Sequence, residues 1–137
     1  MANIEEAIYF ILANDSELDD AVGGRIYPLY MPDIVEMPAI TYQRISTVRE
    51  LTHDQEAGGL ASAIFQFTVW DSDYATIREI SEMIRNCLNG YRGTVTIDSG
   101  DSGIDIQASL INGEVDNYDP EVNLYWTSID YLIKSEE

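Results

Sequence analysis

Between Ile64 and Leu88 the apolar residues change their repeat once, and that change constrains the fold more than any other feature of the chain. Phe65, Phe67 and Val69 alternate with Gln66 and Thr68, the two-residue period of a strand over residues 64–70 that ends at Trp70. Asp71-Ser72-Asp73 then offers short polar side chains suited to a helix cap. Ile77, Ile80, Ile84, Cys87 and Leu88 return at helical spacing, with Arg78, Glu79, Glu82 and Arg85 off the stripe. Asn89-Gly90 stops the helix. A strand that feeds straight into an amphipathic helix asks for a sheet with a helix laid on it.

The flanking segments extend that plan. Asn3 and Glu6 resemble a helix cap and its reciprocal partner, and Ile4, Ile8, Ile11 and Leu12 form one helical face. A second short helix is expected from Ser16, with Asp19 three residues on; Leu18, Ala21 and Val22 face inward and Gly23-Gly24 ends it. Residues 28–38 hold three prolines and no periodicity, which predicts a surface loop or arm. Residues 39–48 read as a strand, and residues 49–59 as a loop or an extended hairpin tip. After the long helix, residues 94–97 make a short strand. In the next, Ile104, Ile106, Ala108 and Leu110 alternate with Asp105, Gln107 and Ser109.

The last strand, residues 122–133, is apolar on both sides: Tyr125, Ile129, Tyr131 and Ile133 on one, Leu124, Trp126 and Leu132 on the other. Such a strand is central and covered twice, or is covered by another subunit. The order α-α-β-β-α-β-β-β predicts an α+β fold, a single domain over residues 1–137. A mostly antiparallel sheet of about five strands would carry N-terminal helices and one long central helix on one face.

Charge narrows the function. Seven basic residues stand against 25 acidic ones, a formal net charge of −18. From Gly93 onward there are ten acids and one base, Lys134, so the last third is the most acidic part. Such a field repels phosphate, which argues against binding nucleic acid by phosphate neutralisation. No apolar run approaches the roughly 20 residues that span a bilayer, so no membrane partner is expected. The first six residues carry two acids and no Lys or Arg, unlike the start of a secretory signal, so the cytosol is expected at synthesis.

The chemistry-bearing residue types are scarce. No phosphate-binding loop, no nucleophile elbow and no dinucleotide fingerprint occurs. His53 is the one histidine, in the polar run Leu51-Thr52-His53-Asp54-Gln55-Glu56, with no serine or cysteine close in sequence. It reads as a loop residue or an interface contact. Cys87, the one cysteine, lies on the helix's apolar stripe and reads as a small hydrophobe. One His and one Cys cannot close a zinc shell. Asp98, Asp101 and Asp105, in a glycine-rich turn, are the best oxygen ligands for calcium, but their spacing fits no established loop, and an acidic β-turn explains them as well. No enzyme activity and no cofactor are expected.

Several segments, taken in order, carry a resemblance. Val22-Gly23-Gly24-Arg25-Ile26-Tyr27-Pro28 is followed by Met37-Pro38-Ala39-Ile40-Thr41-Tyr42. Phe65-Gln66-Phe67-Thr68-Val69-Trp70 and its helix come next, then Asp116-Asn117-Tyr118-Asp119-Pro120-Glu121 leading into the final aromatic strand. This ordered set resembles the phage tail-completion, or tail terminator, family; Ala39 stands where an aromatic residue is common in it. The resemblance implies an α+β subunit of a long-tailed phage that forms a ring, expected to be a hexamer, at the head-proximal end of the tail. Such a ring stops tube polymerisation and joins the tail to the head connector. The implied partners are further copies of the chain, the tail tube protein and the head connector or stopper, with DNA only as passing cargo. The implied location is the virion tail, after assembly in the host cytoplasm.

Ring closure needs a head-to-tail interface. Residues 28–38 and 49–59 and the two-faced last strand are its candidates, with Arg25, Tyr27, Tyr30, Arg44, Arg49, His53, Asp54, Glu56 and Trp126 as contact residues. The three arginines are scarce cations that pair either with a neighbour's acids or within their own chain. Other readings with the same features are a neck or baseplate protein, an acidic module that mimics DNA in a basic cleft, and a calcium-dependent hydrolase.

Overall fold

The computed structural model describes residues 4–32, 36–51, 57–96 and 103–136. Two short helices open the chain, α1 (Ile4–Ala13) and α2 (Ser16–Val22). Strands β1 (Ile26–Pro28), β2 (Ala39–Leu51) and β3 (Ala57–Asp71) follow, then α3 (Tyr74–Leu88), and β4 (Gly93–Val95), β5 (Ile104–Asp119) and β6 (Leu124–Glu136) complete the chain. The fold is α+β, as expected. The sheet has six strands rather than five, in the order β1-β2-β3-β6-β5-β4. It is mixed, because β1 runs parallel to β2 while every other pair is antiparallel. β1 escaped the sequence reading because three residues cannot display a period.

The caps of α2 follow local chemistry, whereas Asp73 at the start of α3 makes no side-chain cap hydrogen bond. The Asp15 side chain accepts a bond from Leu18 N at 3.1 Å, so α2 is capped one residue earlier than Ser16. Gly23 closes α2 in the left-handed conformation, φ 58°, with its N–H on Asp19 O at 2.7 Å. The expected cap at Asn3 lies outside the described residues. Gly103 leads into β5 at φ 83°, where an added Cβ would meet Val95 O at 2.8 Å; a side chain there would collide with backbone.

All of the core lies on one side of the sheet. Ala63, Phe65, Phe67 and Val69 of β3 and Ile129, Tyr131 and Ile133 of β6 pack against Ile77, Ile80, Ile84 and Leu88 of α3. Ile8 and Leu12 of α1 and Leu18 and Val22 of α2 fill out the same cluster. α3 is the longest helix, but it shares a three-helix layer with α1 and α2 rather than standing alone at the centre. Phe67 and Tyr131 meet edge to face, ring centroids 5.7 Å apart. The apolar stripe that the sequence displays on α3 is therefore core, Cys87 included, and burial pushes the Cys87 thiol up to about 12.

β3 and β6 pair without interruption from Leu60↔Glu136 to Asp71↔Tyr125. Single extra residues fall on their outer neighbours: between Arg44 and Ser46 on β2, and between Ile106 and Ala108 and between Ile111 and Gly113 on β5, whereas between Arg49 and Leu51 the longer stretch is on β3. Each single extra residue exchanges the two faces of its strand downstream. The alternation expected over residues 104–110 is broken in this way. Ile106 is buried under the helices, whereas Leu110, opposite Leu132, points to the other side and is 53% exposed.

Candidate assembly surface

The sheet face away from the helices contributes nothing to the core cluster. On it the cross-strand rows can be read off the register. Trp70 pairs with Trp126, ring centroids 5.9 Å apart, and Trp70 Nε1 donates to Thr41 Oγ1 at 3.1 Å. The Thr68 and Ser128 hydroxyls meet at 3.2 Å. Gln43, Gln66 and Asp130 form a polar ladder, Gln43 Nε2 donating to Gln66 Oε1 at 3.3 Å and Gln66 Nε2 to Asp130 Oδ1 at 3.2 Å. Beyond the ladder Ile64 and Leu132 pair half-buried, and Leu110 flanks them. Val115 and Leu110 are more than half exposed, and Ile45 on β2 is almost so. The face thus carries both tryptophans and several large aliphatic side chains, in a chain of net charge −18.

Across the sheet, on the helix side of β5, acids meet the few cations. Arg78 Nη1 donates to Glu114 Oε1 at 2.7 Å and to Asp116 Oδ1 at 3.1 Å, and Arg85 lies 3.7 Å from Glu114. Tyr74 Oη donates to Asp116 Oδ2 at 2.6 Å. That hydrogen bond holds the Asp116 carboxyl below its ordinary range and raises the Tyr74 phenol. Tyr125 packs between Tyr74 and Tyr118, centroids 5.7 and 4.7 Å away. The group ties the second half of β5, polar along residues 112–119, down onto α3. None of these partners was singled out from sequence as a contact. Arg78 and Arg85 were visible only as residues off the apolar stripe, and nothing in spacing joins them to acids more than 25 positions away.

Among the described residues, the contact residues expected from sequence are spread over several elements. Arg25 turns inward on its own chain, with Nε donating to Pro38 O at 2.9 Å and Nη1 3.8 Å from Glu36. Arg44 forms an ion pair with Glu5 of α1 and reaches Thr47 Oγ1 at 3.2 Å. For these two arginines the pairing within the chain is thus the one observed. Tyr27 is half-buried in β1, and Tyr30 is 75% exposed just beyond it, next to Leu29 at φ 67°. Arg49 has its backbone in β2 beside Ala61 of β3. Trp126 lies on the uncovered face. His53, Asp54 and Glu56 lie outside the described residues. So do Asp98 and Asp101, while Asp105 accepts a bond from Gln107 Nε2 at 2.7 Å. Among the described residues no group of three His, Cys, Asp or Glu is placed to hold a metal.

Exposed apolar residues that the sequence did not single out as contacts include Tyr9, Ile45, Leu110 and Val115. Ile45 sits at a register shift and Val115 in a polar stretch, so neither belongs to a regular pattern. One shallow groove of about 440 Å³ lies elsewhere, between α1 and β2, floored by Tyr9, Phe10 and Tyr42 and rimmed by Glu5 and Glu6. Arg44 already reaches Glu5 at its edge.

Comparison with known proteins gives this geometry a setting. A chain from the virion of a native gene transfer agent particle has the same fold, with a TM-score of 0.72 over 98% of this chain and 95% of that one, at 14% identity. No curated protein matches the sequence. Residues 6–135 match the family model described as Tail completion protein gp17, nearly the whole of the chain. The chain therefore belongs to the tail completion protein gp17 family, whose members are structural proteins of phage tails.

Proposed function

We propose that this protein closes into a ring at the head-proximal end of the tail tube, stops tube polymerisation and forms the joint to the head connector. The observation that carries the reading is the uncovered sheet face. A two-layer domain with Trp70, Trp126, Leu110 and Val115 left on one side of its sheet is half of a contact. Membership of the tail completion family supports tail components as what completes it, and the likeness to a virion chain supports the same setting. The ring is expected to hold six copies, with the tube protein below and the connector above. The role is mechanical: surfaces and a channel, with no reaction to catalyse. The acidic surface keeps passing DNA from adhering to the channel wall, since like charge repels phosphate. Negative-stain imaging of the purified protein mixed with isolated tail tubes tests the reading. Rings capping one end of each tube, and tubes that no longer elongate when tube protein is added, are the expected result. Bare ends with normal elongation would overturn it.

A further inference from the structure

Among the described residues, both side edges of the sheet are capped over part of their length and open over the rest. β1 covers β2 only at Ile40, Thr41 and Tyr42, so along residues 43–51 β2 has no outer strand among the described residues. On the far side β4 covers β5 at Ile104, Asp105 and Ile106. Asn89 and Gly90 then cap the same edge, Gly90 N donating to Ser109 O at 2.6 Å and Asn89 Oδ1 accepting from Ile111 N at 3.1 Å. Residues 112–119 have no outer strand among the described residues. An open edge offers a row of backbone donors and acceptors, which proteins normally blunt or pair. Here two edges are open over similar lengths.

We infer that copies of this chain join by strand addition, the open edge of β5 in one copy pairing antiparallel with the open edge of β2 in the next. The inference rests on the ring reading above and names its contact. Three features of the fold support it. First, direction: β2 and β5 run oppositely within one sheet, so a rotated neighbour presents its β2 antiparallel to β5. Second, charge: the β2 stretch carries Arg44 and Arg49 against Glu50, and the β5 stretch carries Glu114, Asp116 and Asp119 with no base, so the two edges differ in sign in sequence even with Arg44, Glu114 and Asp116 paired within the chain. Third, closure: the edges are different surfaces, which makes the contact head-to-tail, the kind that generates rings.

The geometry also gives the offset. Thr47, at the middle of the open β2 stretch, stands in the row of Ala63, Ile133 and Ser109. Asp116, at the middle of the open β5 stretch, stands in the row of Thr127, Val69 and Ile40. The two openings are therefore displaced along the strands by the distance from Ile133 to Thr127 on the uninterrupted β6, six residues or roughly 20 Å at ~3.3 Å each. In a joined sheet β4 sits above the incoming β2 and β1 sits below the outgoing β5, so the short strands act as stops that set the register. A stagger of this size inclines the strands steeply to the ring axis, as closed sheets require. The register shifts on β2 and β5 twist both edges, which disfavours pairing with a flat foreign strand.

The test uses full-length chains with Cys87→Ser as background, one carrying Ser46→Cys and the other Val115→Cys. Both positions lie on the uncovered face, Ser46 opposite Ile64 and Val115 opposite Ser128. Each variant is checked for unchanged far-ultraviolet circular dichroism, then assembled on tail tubes and treated with a short bis-maleimide that tolerates a slip of one row. Covalent dimers in the mixture, none from either variant alone, and a ladder up to the full ring from a chain with both substitutions are the expected result. Rings at tube ends without cross-links, or cross-linked dimers from one variant alone, would overturn edge pairing and leave the ring reading standing. Absence of both rings and cross-links would bring down the two together.

Discussion

The two faces of the β3–β6 pair are built from alternate residues of the same two strands, yet they differ in kind. Toward the helices, Phe65, Phe67, Tyr131 and Ile133 are fully buried in one apolar cluster. Toward the other side, Ile64, Gln66, Thr68, Trp70, Trp126, Asp130 and Leu132 are half-buried and joined by side-chain hydrogen bonds and one tryptophan pair. A strand's two-residue period lets one sequence serve two ends at once. One face supplies the stability of the subunit, and the other stays wet enough to be soluble and apolar enough to be covered. If that division is right, substitutions on the two faces must separate folding from assembly.

The largest effect on folding is expected at the centre of the covered face. Phe67 is fully buried and makes the edge-to-face contact with Tyr131. Phe67→Ala removes the contact and leaves a cavity, and urea denaturation of the monomer should show a loss of about 3–5 kcal/mol. A loss under about 1 kcal/mol would mean that this layer is not the core.

Tyr131 sharpens the same face in the opposite direction. Its ring is fully buried, and its hydroxyl has no hydrogen-bond partner in the structure. Tyr131→Phe removes a desolvated group and no bond, so the urea midpoint should rise, by about 1 kcal/mol of stability. Burial pushes the Tyr131 phenol up from 10.0 to about 12. Because the folded value is the higher, its contribution is whole below pH 10 and is lost as the pH rises from 10 through about 12. The variant should therefore lose less stability than its parent across that window, followed by urea midpoints against pH. An identical alkaline decline in both would show that the hydroxyl is hydrated.

What sequence could show follows the same division. Elements whose apolar residues keep one period against one partner were legible: α3, the core of β3 from residue 64 to 70, and the inward face of β6. The six-stranded count was not, because β1 is too short to display a period and owes its place to pairing with Ile40, Thr41 and Tyr42. Nor was the length of β5, whose residues 112–119 are polar and become a strand only because β6 offers a partner along its whole length. The uncovered face was half legible. Trp126 was in view, since a strand apolar on both sides calls for a cover. Arg25 and Arg44 looked like candidates because cations are rare here, yet both are paired within the chain. Pairing across space leaves no trace in spacing, and register shifts such as that between Ile106 and Ala108 erase the alternation that would have placed Leu110 on the open side.

Leu110 is where the comparison is most easily broken, with the smallest expected effect on folding. Its side chain is 53% exposed and stands opposite Leu132 on the uncovered face. Full burial of a leucine is worth roughly 1.5–3 kcal/mol, so a half-exposed one contributes well under that, and Leu110→Ser should shift monomer stability by less than about 1 kcal/mol. If a neighbouring copy or the tube covers this face, the same change places a hydroxyl in an apolar contact and removes the aliphatic anchor. Occupancy of tube ends in negative stain should then fall sharply while urea denaturation hardly moves. Phe67→Ala should do the reverse at a temperature where its monomer still folds, keeping the open face and its assembly. Should Leu110→Ser destabilise the monomer as much as Phe67→Ala, the two faces would form one core. Should it leave both folding and end-capping untouched, the contact would lie elsewhere on the surface, and the tryptophan pair would be a stabilising feature of the subunit alone.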